Sequence, residues 1–277
     1  MQNPFKQEKE ICMQSDVQQL LTEVLSPLYG ERETGFIVRY LLPELQQAER
    51  DELNAVLERL ACHEPWQYVI GKEWFYDLEF RVTSDTLIPR PETEELVYSI
   101  LQEYSDDTIE LLDIGTGTGC IPIALKDSRP EWNISACDIS LSALDVARYN
   151  AFENDTQINF FQEDILNPAE SDKKWDVIVS NPPYIPVKEK ELMSNNVLQY
   201  EPHLALFVPD EDPLLFYRKI GEYAFRHLKS GGRLYFELNE FYASATQELI
   251  SSIGFRDVNI VDDLTGKPRI LSAIIDK

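Results

Sequence analysis

Apolar positions recur at helical spacing over the first part of this chain and at strand spacing over much of the rest. Val17, Leu20, Leu21, Val24, Leu25 and Leu28 share one helical face. Ile37, Val38, Leu41 and Leu42 form a second set, and Leu53, Val56, Leu57 and Leu60 a third. Residues 15–62 therefore predict helices, with Ser15 as the first N-cap and Pro27, Gly30 and Pro43 as punctuation. A small all-α domain over residues 1–70 is expected, with partner recognition or a lid as its natural role. From Gly71 to Val82, aromatics alternate with polar residues as in a half-exposed β-hairpin. Residues 71–90 are thus expected to form a hairpin linker. Pro91 suits a first helical turn, and Glu92, Glu94 and Glu95 favour the positive end of the helix it starts. That helix opens a second domain, residues 91–277.

Beyond residue 109 the period alternates between two and three to four. Strand-like runs cover 109–114, 134–137, 158–161, 175–179, 233–238, 258–261 and 270–275. Helical patterns lie between most of them, at 120–126, 142–150, 213–228 and 243–253. Such alternation predicts an α/β domain with a mostly parallel, doubly wound seven-stranded sheet. Only seven residues, Asp262 to Pro268, separate the last two runs. That is too short for a crossover helix, so these two should pair antiparallel at a sheet edge.

Composition narrows the class. With 277 residues, 43% of them hydrophobic, the chain is long enough for two folded domains. No apolar run reaches membrane-spanning length, and the first residues carry neither a signal-peptide nor a transit-peptide pattern. Cys12, Cys62, Cys120 and Cys137 form no CxxC, which fits reduced thiols and a cytoplasmic location. His63, His203 and His227 are equally scattered and give a metal site no support. The formal charge of −24 disfavours a phosphate-backbone partner and suits a basic or mixed-charge protein.

The first strand of the second domain runs into Asp113-Ile114-Gly115-Thr116-Gly117-Thr118-Gly119-Cys120. Glycines permit a tight turn and close approach to a ligand, and the next helix offers free N–H groups. A dinucleotide fingerprint would read G-x-G-x-x-G, and this loop does not. Its G-x-G-x-G spacing behind an acid fits S-adenosylmethionine better, with Asp113 as counter-charge to an ammonium group. Asp138 ends the second strand, where an acid can take ribose hydroxyls or cap a helix. Asp164 ends the third, beside Ile165, where an adenine edge would lie or a surface turn would form.

The apolar run 175–179 stops at Ser180-Asn181-Pro182-Pro183-Tyr184-Ile185. Two consecutive prolines cannot continue a central strand, so its carboxyl end opens into a stiff loop. Asn181 brings one acceptor and two donors, and Tyr184 a flat ring. A planar group carrying an NH2 would fit that corner; a proline turn closed by a loop aromatic is the plainer reading.

Together these motifs resemble class I (Rossmann-like) S-adenosylmethionine-dependent methyltransferases acting on a planar nitrogen. Asn181-Pro182-Pro183-Tyr184 alone is shared by adenine, guanine and glutamine-amide methyltransferases. The run from Glu64 to Gly71, then Phe75, then Leu87-Ile88-Pro89-Arg90-Pro91-Glu92-Thr93-Glu94 is more specific. With Leu112 to Ile121 and Tyr200-Glu201-Pro202-His203-Leu204-Ala205-Leu206, it resembles the release factor glutamine methyltransferases, the HemK/PrmC family, over nearly the whole chain. Ser84 departs, standing where that family commonly has proline. The resemblance implies methyl transfer to the glutamine amide in the Gly-Gly-Gln loop of class I peptide chain release factors, leaving S-adenosylhomocysteine. It implies that Gly115, Thr116, Gly117, Thr118 and Gly119 wrap the methionine portion. Asp138 would then hold ribose, and Asp164 with Ile165 would border adenine. Asn181 and the Pro182 carbonyl would take the amide NH2 at the edge of the cofactor, with Pro183 and Tyr184 completing the corner. Two rivals stand beside this: a nucleic-acid exocyclic-amine methyltransferase, and a catalytically idle binding protein on the same fold.

Overall fold

The computed structural model of the chain describes residues 4–46, 48–104 and 108–276, with side chains from residue 16 onward. Cys12 thus lies outside the described side chains. The chain divides into two compact units, Met1–Gly71 with Ser194–Tyr200, and Lys72–Met193 with Glu201–Lys277.

The smaller unit is helical. Helix α1 (Pro4–Leu45) runs through Ser15 instead of starting there, and breaks at Gly30, where φ is 75° and ψ is 167°. Only glycine reaches that conformation cheaply, so the break sits where the sequence supplies one. Helices α2 (Arg50–Ala61) and α3 (Trp66–Ile70) follow. Leu21, Leu25, Ile37, Leu41 and Leu60 are buried at the helical spacing read from the sequence. Arg59 donates to the carbonyl oxygens of Tyr68 and Val69, both at 3.0 Å, and ties α3 to α2. Segment 194–200, read as part of the second domain, groups with this unit; Tyr200 donates its hydroxyl to the Cys62 carbonyl at 2.9 Å.

The larger unit starts with the antiparallel hairpin β1 (Lys72–Phe75) and β2 (Leu78–Arg81). Expected as a linker, this hairpin instead groups with the α/β unit. Phe75 and Phe80, on its inner face, are 1% and 0% exposed within that unit's core. Helix α4 (Pro91–Glu103) follows, with Pro91 in its first turn. Then come β3 (Glu110–Ile114), α5 (Cys120–Ser128), β4 (Asn133–Asp138), α6 (Leu141–Glu153), β5 (Asn159–Gln162) and β6 (Trp175–Ser180). Two short strands, β7 (Ile185–Pro186) and β8 (Phe207–Val208), pair parallel around an excursion containing α7 (Asn195–Tyr200). The chain ends with α8 (Leu215–His227), β9 (Leu228–Glu237), α9 (Ala243–Ile253), β10 (Arg256–Asp262) and β11 (Pro268–Ile274).

The central sheet has seven strands in the order β10-β11-β9-β6-β3-β4-β5. From β9 to β5 neighbours are parallel, while β11 runs antiparallel to both β9 and β10. This is the expected Rossmann-like arrangement with its antiparallel edge hairpin. Alternation along the strands divides the core in two. Leu111, Val177, Val179 and Tyr235 pack with α4, α5 and the hairpin on one face. Leu112, Ile178, Leu234 and Phe236 pack with α8 and α9 on the other. Strand order reverses direction between β3 and β6, so a crevice must open above their carboxyl ends. Among the described residues, no helix is long and apolar enough to cross a membrane.

Candidate active site

Three residues of the loop leaving β3 adopt positive φ: Gly115 (76°), Gly117 (54°) and Gly119 (82°). The alternation turns the chain sharply at the end of β3. Gly115 N and Thr116 N both donate to the Cys137 carbonyl, at 2.9 and 3.0 Å, and so stitch the loop to β4. Gly117 N donates to Asp138 Oδ2 at 2.9 Å. From below, the Asn150 amide of α6 donates to the carbonyls of Thr118 (2.9 Å) and Arg81 (3.0 Å), fixing loop and hairpin together.

The acids at the strand ends differ in character. Asp138 Oδ1 also accepts from Ser140 N at 2.9 Å, while Ser140, not Asp138, caps α6. Both oxygens of Asp138 are thus engaged by backbone, yet each keeps a second lone pair for a ligand hydroxyl. Burial raises its pKa, and those backbone donors pull the other way. Asp164 forms a turn, accepting from Leu166 N at 3.0 Å and Asn167 Nδ2 at 2.9 Å, and also lines the cavity described below. Asp113 is wholly buried. Neither of its oxygens nor Thr116 Oγ1 completes a hydrogen bond of ordinary geometry. Burial pushes the Asp113 carboxyl up to about 7; the Thr116 hydroxyl opposes that shift and the Asp138 charge adds to it. An orphaned buried carboxylate costs several kcal/mol, roughly, unless a cation comes near.

At the end of β6, Ser180 Oγ donates to the Ile114 carbonyl at 2.6 Å and locks the Asn181 corner against the glycine loop. Asn181 Nδ2 lies 3.3 Å from Thr93 Oγ1. Thr93 donates to Glu237 Oε2 at 2.5 Å, and the Tyr184 hydroxyl donates to Glu237 Oε1 at 3.2 Å. Asn239 Nδ2 donates to the Tyr184 carbonyl at 3.2 Å. Glu237 is 2% exposed, and burial raises its pKa. A second junction joins the two most distinctive sequence segments. Arg90 pairs with the buried Glu201 at 2.5 Å, and Ile88 N donates to the other Glu201 oxygen at 3.3 Å.

These pieces enclose a cavity of about 290 Å³, near the lower end of small-molecule sites. Gly115, Thr116, Gly117, Thr118, Asp138, Asp164 and Ile165 line one end. Asn181, Pro182, Pro183, Arg90, Thr93 and Pro202 line the other. Asp113, Gly119 and Tyr184 are not in the lining. Cys120 is in it, but burial pushes its thiol up to about 12, so it supplies no thiolate. Sequence reasoning missed Thr93, which lines the cavity, and Glu237, to which Thr93 is hydrogen-bonded. A signal existed: Glu237 is the one acid in the apolar run Leu234-Tyr235-Phe236-Glu237-Leu238.

Comparisons with known proteins give the family. A family model described as Methyltransferase small domain matches residues 93–201. A release factor glutamine methyltransferase of Flavobacterium psychrophilum is 39% identical, the match covering 90% of this chain and 94% of that protein. Another, from Bacteroides thetaiotaomicron, is 46% identical over 83% of this chain and 82% of its own length. A methyltransferase structure from Pyrococcus furiosus superposes with a TM-score of 0.54 at 20% identity, covering 72% of this chain and 90% of that one. That last likeness concerns the fold alone.

Proposed function

The chain belongs to the release factor glutamine methyltransferases, and from that premise we propose its substrates and the work of its residues. It transfers a methyl group from S-adenosylmethionine to the side-chain amide nitrogen of the Gly-Gly-Gln glutamine in class I peptide chain release factors. That work belongs in the cytoplasm, with translation. The observation that carries the reading is a single cavity joining the glycine loop at one end to the Asn181-Pro182 corner at the other.

The donor set fits the cofactor. Asp113 is an unpaired buried acid behind the loop, and a ligand ammonium held by the loop would offset its charge. Asp138 keeps lone pairs for ribose hydroxyls, and Asp164 with Ile165 borders the base. When bound, S-adenosylmethionine supplies an electrophilic methyl group on a sulfonium sulfur.

An amide nitrogen is a weak nucleophile because its lone pair is shared with the carbonyl. The chain's contribution is therefore placement. Asn181 Oδ1 and the Pro182 carbonyl would accept the two amide hydrogens and hold the nitrogen toward the methyl group that the cofactor supplies. The same acceptors stabilise the positive charge that develops on nitrogen as the new C–N bond forms. Water takes the surplus proton. Pro183 keeps the corner stiff and Tyr184 backs it. The helical residues 1–70 recognise the release factor away from the reacting loop.

A labelled methyl-transfer assay tests this reading. Purified release factor, its loop-glutamine variant, DNA and rRNA are offered side by side. Label on the factor that disappears with the glutamine is the expected result. Label on nucleic acid alone would overturn it, despite a net charge of −24 that disfavours such a partner.

A further inference from the structure

We propose that Thr93 and Glu237 are positioning residues that decide which end of the Asn181 amide faces the cavity. The inference rests on the glutamine-amide reading and deepens it. An incoming NH2 offers two donors and needs acceptors. Asn181 carries one acceptor and one donor group of nearly the same shape, so shape alone does not choose between them. The wrong face would set NH2 against NH2.

The buried chain behind Asn181 makes that choice. Glu237 is met by a hydroxyl at each of its two oxygens, and the Arg269 charge nearby favours its ionised form, which accepts and never donates. Thr93 lies 2.5 Å from Glu237 Oε2 and has a single hydroxyl proton, which goes to the carboxylate. Thr93 Oγ1 is left able only to accept from Asn181, 3.3 Å away. Asn181 must therefore turn its Nδ2 toward Thr93 and its Oδ1 away. Among the described residues no protein donor reaches Asn181 Oδ1, and Asn181 borders the cavity. Tyr184 spends its own proton on Glu237 Oε1, so the carboxylate is held from both sides and cannot swing away from Thr93.

The energetics favour a functional reading of Glu237. A carboxylate 2% exposed, hydrogen-bonded by two neutral hydroxyls with the Arg269 charge nearby, is a poor source of stability compared with an apolar residue of that size. Its neighbours answer to the same end: Thr93 is 2% exposed, and the Tyr217 hydroxyl donates to the Glu237 carbonyl at 3.1 Å, fixing the strand below.

The test compares Thr93→Val, which keeps the shape and removes the hydroxyl, with Thr93→Ser, which keeps it. Turnover on release factor should fall about 100-fold in Thr93→Val, the scale of a misplaced reacting group, and stay within about threefold in Thr93→Ser. S-adenosylmethionine affinity by calorimetry should not move in either. Turnover of Thr93→Val near the wild-type value would overturn the proposal, as would a loss of cofactor affinity in parallel with turnover. Should Thr93→Val not fold, Glu237→Gln decides. It relaxes the acceptor-only constraint without changing size, and unchanged turnover there would overturn the proposal too. A second readout needs no catalysis. In wild type and Thr93→Ser the Asn181 side-chain NH2 should show one hydrogen-bonded, downfield proton by NMR, absent in Thr93→Val. If wild-type enzyme failed to label the factor, the functional reading would fall, and this signal would still decide the relay.

Discussion

At the glycine-loop end of the cavity the chain works mainly through its backbone: the N–H groups of Gly115, Thr116 and Gly117 make the bonds that shape the loop. At the Asn181 end it works through side chains drawn from three places, α4, the loop after β6 and β9. The first construction is local, with its bonds closing onto the next strand end about twenty residues on. The second closes over long separations: Thr93 to Glu237 spans 144 residues, and Arg90 to Glu201 spans 111. A backbone-made site tolerates side-chain change if the turn survives. A site made of side chains depends on each atom's hydrogen-bonding sense. The two ends should therefore fail differently.

Asn181→Ala gives the largest expected effect and the sharpest separation. Losing an acceptor aimed at developing charge should lower turnover by roughly 100- to 1,000-fold. Cofactor affinity should stay within about threefold, because the loop and acids at the other end are untouched. Turnover and calorimetric affinity measured on the same preparation check this. Equal losses in both would mean the two ends are not separable.

Substitutions in the loop should act first on stability, graded by packing. Gly115→Ala and Gly119→Ala both force alanine into positive φ, at a cost of about 1–2 kcal/mol each. A Cβ on Gly115 would meet nothing within 4 Å, whereas one on Gly119 would lie 3.0 Å from Ile123 Cδ1 and 3.2 Å from Ala147 Cβ. Gly119→Ala should thus cost about 1 kcal/mol or more beyond Gly115→Ala. Urea unfolding measures the difference, and equal midpoints would mean strain, not packing, governs the loop.

The same contrast explains what could be read from the sequence. Strand and helix periods gave the α/β alternation because each element buries a regular face. The glycine loop was legible because positive φ leaves a mark in residue type. The edge hairpin followed from loop length alone. The β1–β2 hairpin looked like a linker because its alternation is that of any half-exposed ribbon; only the packing of Phe75 and Phe80 reveals its place. Segment 194–200 carries no period that ties it to the helical unit. The Thr93–Glu237 bond lies across the sheet from any local pattern. Glu237 could be flagged as an acid in an apolar strand, but its partner could not be named without the fold.

Asp113 is the side-chain exception at the backbone-made end, and it offers a test by pH. Its carboxyl is pushed up to about 7 in the fold, by burial, from a usual value of 3.8. Between those values the unfolded chain has already released this proton while the folded one still holds it. Stability from the neutral form is full below about 4 and is lost as pH rises toward and through 7. Asp113→Asn removes that term. The difference in unfolding free energy, variant minus wild type, should rise steadily from pH 4.5 to 7.5 in cofactor-free protein and level off above pH 8. Taking a difference cancels the groups common to both proteins. The plateau should be about 1–2 kcal/mol, because the new amide is buried without a full set of partners and gives back part of the gain. A difference that stays flat with pH would mean Asp113 is ionised throughout and already has its counter-charge. The glycine-loop end would then be complete without a cationic ligand, and Asp113 would need no cofactor ammonium.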